Sequence, residues 1–276
     1  MSGVRAEAFD NTGNGGISKA IVDFATQVFA VSGAEVQKLR HDPLELFTRA
    51  AQPVLWLVIF GKVMGQIRGL NVAGSNYIDF LAPGILAQSM LFGAIFYGIA
   101  AVWERDLGII HRYLVSPASR LALVMGKQVS AGIRGLSQAT FIYLVALAMG
   151  VSIDWHIEKI VGVIVLIVIG AALFSTMSLI IACIVRTRER LMGIGQLLTM
   201  PIFFASNAIY PIDLMPWWLK AIARINPLTY EVDGLRMLML RTTEPSFRLL
   251  TDFVVLVVIS VILLLIASRL YKRMAT

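Results

Sequence analysis

The sequence predicts an all-α membrane protein. Six transmembrane helices follow an amphipathic N-terminal interface helix, a short cytosolic helix joins spans two and three, and two short outer helices separate spans five and six. Two observations carry this. Of 276 residues, 58% are hydrophobic and 15% charged, where a soluble domain holds roughly 25% charged residues. The apolar residues also fall in long blocks between short charged stretches, and the mean hydropathy is +0.78. A span needs about 20 mostly apolar residues to cross a hydrocarbon core of about 30 Å, and six blocks qualify.

Residues 1–16 are rich in Gly, Asn and Ala and lack the hydrophobic core of a cleavable signal peptide. They read as a disordered cytosolic tail, leaving 17–276 as a single transmembrane domain. From Ser18, an N-cap candidate, Ile21, Phe24, Ala25, Val28, Val31 and Leu39 recur at helical spacing while Lys19, Lys38 and Arg40 stay polar. That pattern predicts a helix lying in the membrane interface.

The first span is expected from Arg49 to Ile67, with Lys62 near its far end, and the second from Phe80 to Trp103 without a charge. The third runs from Leu121 to Val151, where Lys127 and Arg134 imply a cytosolic extension or a protein-facing side. The fourth, Ile160 to Val185, and the fifth, Leu191 to Ile212, are separated by five residues, Arg186 to Arg190, which predicts an antiparallel pair. The sixth, Phe253 to Ser268, ends against Arg269, Lys272 and Arg273. Between spans five and six, Pro216 opens one apolar stretch, and Asn226-Pro227 reads as the cap and first turn of a second helix toward Met239. Trp217, Trp218, Tyr210 and Tyr230 suit the depth of an outer interface, either as anchors or along an exit path.

Fourteen Lys and Arg fall on one side of these spans and seven on the other, which places both termini in the cytosol of a cell inner membrane. The net charge of +7 is explained by these flanking clusters and by anionic headgroups, so nucleic acid is set aside as a partner. Cys183 has no second cysteine to pair with.

No phosphate-loop motif occurs, and Gly126-Lys127 is followed by Gln128, so the chain is not expected to hydrolyse ATP by that route. His41, His111 and His156 are scattered and predict neither a metal site nor a catalytic constellation. All 17 acids fall outside the middles of the six spans, which weakens an ion-coupled carrier, because such a carrier places a titratable acid at depth. The expectation is a bundle with no buried titratable acid, no catalytic residue and no cofactor of its own. An ion-coupled carrier or a channel working without nucleotide stays open as the alternative.

Between spans two and three, Glu104-Arg105-Asp106-Leu107-Gly108 leads through Ile110, Arg112, Leu114 and Val115 to Ser116-Pro117. A short helix with an apolar ridge and flanking charges suits a groove on a cytosolic partner or a membrane surface. This segment resembles the coupling-helix signature of type-2 ABC exporter permeases, the family of daunorubicin-resistance, nodulation-factor and polysaccharide export permeases. Tyr210-Pro211, Pro216-Trp217, Asn226-Pro227-Leu228-Thr229-Tyr230 and Gly234-Leu235-Arg236 resemble that family's outer-loop signature ahead of the last span. The likeness covers nearly the whole chain.

The resemblance implies a homodimer of this chain on two copies of a cytosolic ABC ATPase subunit, which would bind ATP and Mg. It implies ATPase coupling through Glu104, Arg105, Asp106, Gly108, Arg112 and Ser116, with Lys38 and Arg40 on the interface helix. It implies a substrate path past spans two and five, where Gln88, Phe92, Phe96, Tyr97, Gln196, Thr199, Phe203, Phe204 and Asn207 lie, residues that equally serve helix packing. Tyr210, Trp217, Trp218, Asn226 and Tyr230 would form an outer gate. The cargo expected is an amphipathic drug, a lipid or a lipid-linked saccharide.

Overall fold

A computed structural model describes residues 22–33, 37, 43–65, 76–110, 119–185, 187–241 and 246–272. Residues 22–33 are helical. Eight further α-helices follow: α1 (Pro43–Gly65), α2 (Tyr77–Asp106), α3 (Arg120–Ala148), α4 (Ile157–Ile184), α5 (Arg188–Phe204), α6 (Trp217–Ile225), α7 (Pro227–Met239) and α8 (Leu249–Leu270).

Among the described residues, four helices are long and apolar enough to cross a membrane: α2, α3, α4 and α8. The six-span count is therefore matched in part. α1 fits the first predicted block but carries Arg49, Gln52 and Lys62, and α5 has 17 residues. The fifth span was expected to reach Ile212. Instead α5 stops at Phe204, just past Pro201, and the Ser206 hydroxyl folds back to donate to the Phe203 carbonyl at 2.7 Å. Hydropathy alone carries on through this break. The predicted antiparallel pairing of spans four and five also changes, because α5 packs chiefly against α2 and only slightly against α4. Val185 and Thr187 are extended, so the short link turns the chain away.

α2 and α4 form the centre of the bundle, packed on each other, with α3, α7 and α8 around α4. Small residues permit the approach. A Cβ on Gly98 of α2 would lie 2.2 Å from the Ser178 hydroxyl of α4, and one on Gly84 would lie 2.3 Å from the Ala208 carbonyl. On α3, a Cβ at Gly126 would meet Val31 at 2.7 Å, so the 22–33 helix sits directly on α3. Ser32 adds a hydroxyl donated to the Gly126 carbonyl at 3.1 Å.

Among the described residues two large apolar cores result, beside a small one around Ile212, Met215 and Ala223. The larger of the two gathers Leu86, Ile142, Leu166, Phe174, Phe203 and Val232, and the other, at the predicted cytosolic end, gathers Val102, Ile110, Leu123, Leu179 and Tyr271. The outward surface is also apolar: Val254, Val258, Ile262 and Leu265 on α8 and Leu144 and Ile164 elsewhere are exposed. Such a surface suits lipid tails, and the helices satisfy their backbone groups internally.

Candidate functional site

The end of α2 and the start of α5 build a charged platform. α2 closes in a turn with Gly108 at φ 70, the left-handed cap that glycine adopts without strain. The Arg105 guanidinium donates to the Val185 carbonyl at 3.1 Å, and Arg188 donates to the Asp106 carboxylate at 2.9 Å. Arg188 also stacks 3.6 Å over the Trp103 ring. Asp106 and Leu107 are exposed. Three of the coupling candidates, Arg105, Asp106 and Gly108, thus gather on one corner. Glu104 faces the other way. It is buried and forms an ion pair with Lys127 of α3 at 2.6 Å. Arg112, Ser116, Lys38 and Arg40 lie outside the described residues.

Above this platform Tyr97 donates its hydroxyl to the Lys127 carbonyl at 2.7 Å. Tyr97 then lines a recess between α2, α3 and α4, together with Arg49, Gly93, Arg134, Gln138 and Ser175. The recess adjoins a groove of about 410 Å³ bounded by Thr48, Arg49, Gln52, Pro53, Phe92, Phe96 and Gln138. The expected path residues divide here. Phe96 and Phe92 border the groove, and Phe92 meets Phe203 of α5 edge to face at 6.4 Å. Trp56 packs on the other side of Phe203 at 6.2 Å. Gln88 and Thr199 are buried, whereas Gln196 and Phe204 are exposed.

Asn207 joins a second cluster instead, on the predicted outer side. Its amide donates to Asp233 of α7 at 3.4 Å, and the same carboxylate accepts from the Ser246 amide at 3.0 Å and the Phe247 amide at 2.8 Å. Arg236 donates to the Asn207 carbonyl at 2.8 Å and lies 3.9 Å over the Phe80 ring. Glu231 and Asp252 are fully buried, and neither carboxyl has a hydrogen-bond partner. This corrects the expectation of a bundle with no buried titratable acid. Glu231 projects onto Gly170 of α4, where a Cβ would sit 2.0 Å from its Oε1. Burial pushes the Glu231 carboxyl well above the usual carboxylate range. The sequence hid these acids because Glu231 lies in a short outer helix and Asp252 just ahead of the predicted sixth span, both outside the expected spans.

The outer residues separate by role. Asn226 caps α7 by accepting from the Leu228 amide at 3.0 Å, and its own amide donates to the Ile202 carbonyl at 2.6 Å. Tyr210 donates to the Phe204 carbonyl, Tyr230 packs on Phe247 at 4.9 Å, and Trp217 and Trp218 are exposed. Nearby, Ile153 pairs with Leu240, and Asp154 accepts from Lys159 at 2.7 Å. The Lys159 ammonium, followed by His156, holds the Asp154 carboxyl well below its ordinary range.

Residues 26–240 match the model of the ABC-2 type transporter family. The chain belongs to that family. It is 29% identical over 220 residues to the ycf38 transport permease of Cyanophora paradoxa, covering 78% of this chain and 74% of the relative. It is 26% identical over 225 residues to Nodulation protein J of Rhizobium leguminosarum bv. viciae, covering 81% and 85%. The daunorubicin resistance ABC transporter permease protein DrrB1 of Streptomyces coeruleorubidus is 22% identical over 201 residues, covering 72% and 70%. As an ABC-2 type family member with several apolar helices, the chain is a multi-pass membrane protein and a transport subunit rather than an enzyme, and its family implies pairing with an ABC ATPase.

Proposed function

We propose that this chain is the membrane path of an exporter driven by ATP that a separate cytosolic subunit hydrolyses. The observation that carries the reading is the platform at the end of α2, where Arg105, Asp106 and Arg188 knit α2 to α5 and leave Asp106 and Leu107 exposed. A partner pressing on that corner moves both helices together, and the Glu104–Lys127 pair passes the displacement to α3. The finer features follow from the same reading: six spans, with α1 and α5 completing the count; the 22–33 helix in the cytosolic interface; α6 and α7 dipping into the outer one; both termini cytosolic in a cell inner membrane. A homodimer on two ATPase copies supplies a path between protomers. The cargo is an amphipathic drug, a lipid or a lipid-linked saccharide, a class consistent with a relative named for daunorubicin resistance.

Co-expression with the cognate ATPase tests this. The two chains are expected to co-purify, and Asp106→Ala together with Arg188→Ala is expected to lower cargo-stimulated ATP turnover while leaving the chain folded. Turnover unchanged by the double variant sinks the coupling role, and failure of any ABC ATPase to bind sinks the exporter. The buried, unpartnered Glu231 favours one second reading, an ion-coupled carrier. Uptake by vesicles containing this chain alone, driven by a pH gradient and abolished in Glu231→Gln, would select it.

A further inference from the structure

The helix at residues 22–33 completes the start of α3. Ser119 is the N-cap of α3, and its hydroxyl accepts from the Ala122 amide at 3.1 Å. In a capping box the third helical residue is Glu or Gln, whose side chain reaches back to the amide of the cap residue. On α3 that third residue is Ala122, which carries no acceptor to reach with. Gln27 supplies the missing half from another helix: the Ser119 amide donates to the Gln27 Oε1 at 3.1 Å. The box is therefore closed between two helices that are far apart in the chain. The same two helices meet again further along. Val28 and Val31 lie over Gly126, where a Cβ would come within 2.7 Å of Val31 and 3.1 Å of the Val28 carbonyl, and Ser32 donates to the Gly126 carbonyl at 3.1 Å. From Gln27 to Ser32 the N-terminal helix thus runs beside Ser119 to Gly126, about two turns of α3. The next residue, Lys127, holds Glu104 of α2.

We propose that Gln27 is a positioning residue for ATP coupling: its bond to the Ser119 amide fastens the N-terminal helix to the first turn of α3, so that the two helices shift as one body. Two fasteners then bracket this stretch of α3, the Gln27–Ser119 bond at its start and the Lys127–Glu104 pair at its end. Without the first, the start of α3 is free to swing about the contact at Gly126, where no side chain of α3 opposes the motion. A displacement that reaches α2 would then be passed to α3 but lost before the N-terminal helix. The inference goes beyond the charged corner of α2 and α5 by assigning a role to the opposite side of the same end, and it rests on the exporter reading for there being a motor to couple.

The test uses the purified full-length chain in phosphatidylethanolamine–phosphatidylglycerol vesicles. In the first arm, without ATPase, hydrogen exchange is followed over the start of α3. Gln27→Leu is expected to speed exchange of the Ser119 amide about fivefold, the scale of one lost neutral hydrogen bond. Gln27→Glu is expected to keep it slow, because a carboxylate accepts the same bond. In the second arm the cognate ATPase is added. Gln27→Leu is expected to lower kcat for ATP about threefold while KM for ATP and the affinity of the two chains for each other stay unchanged, and Gln27→Glu to restore kcat. A purely structural role lowers that affinity together with kcat, and this pattern overturns the proposal. Unchanged exchange in Gln27→Leu overturns it too. Unchanged kcat in Gln27→Leu, or a kcat that Gln27→Glu leaves equally low, overturns the positioning role and leaves the exporter standing. An ATPase that binds no version of the chain overturns the exporter reading and the coupling role together, while the exchange arm still decides the bond between the helices.

Discussion

The two ends of the bundle treat buried charge in opposite ways. At the predicted cytosolic end, Glu104 is matched by Lys127 at 2.6 Å, with Tyr97 bridging to the Lys127 backbone. At the outer end, Asp233 is satisfied by three amide donors while its neighbours Glu231 and Asp252 are buried with no hydrogen-bond partner. A matched pair resists separation and so transmits force. A lone buried carboxyl instead holds its position by staying protonated, because the charged form is penalised by desolvation.

The largest test of this contrast breaks the pair. Lys127→Met removes the ammonium that pairs with buried Glu104 at 2.6 Å and is expected to cost about 3–5 kcal/mol in thermal unfolding of the purified protein, whereas adding Glu104→Gln restores much of the loss. Equal effects of the single and double variants would show that the pair is not a unit. Next comes crowding at the outer end. Gly170→Ala drives a methyl into the Glu231 carboxyl and is expected to cost about 1–3 kcal/mol, with relief when Glu231→Ala is added.

A smaller effect appears as pH dependence. The folded-state pKa of Glu231 is raised, so its contribution to stability is complete below the unfolded value of about 4.3 and is lost as pH rises through the folded value. Glu231→Gln removes that titration, and a pH series of melting temperatures is expected to decline less toward alkaline pH than in the unaltered chain. Asp154 gives the smallest effect and the opposite sign. Its carboxyl is held low by Lys159 and His156, so its contribution is present above about pH 4 and fades in acid. Lys159→Ala is expected to reduce that acid-side loss.

Much of the fold was legible because apolar periodicity and cap chemistry are local. Asn226-Pro227 opens α7 as expected, with the Asn226 carbonyl oxygen of its side chain on the Leu228 amide, and the helix ends at Met239. Span two runs beyond Phe80 and Trp103 by only a turn at each end. What failed was nonlocal. Just beyond the end of α5, the Asn207 amide reaches Asp233 on α7, a contact that hydropathy does not register. Glu104 also has a neighbour that sequence spacing does not reveal, Lys127 on another helix. Arg134 stood out as a charge within an apolar block, but Arg49, the residue sharing its cavity, had read as the edge of a span.

The exposed apolar face of α8 ties the outer end to the thickness of the bilayer. Its 22 residues reach about 33 Å, close to an average hydrocarbon core. A thinner bilayer is accommodated by tilt. Because Asp252 at the head of α8 lies against Gly234 of α7, such a tilt bears on α7 directly, and lipid composition becomes a mechanical input to the outer helices.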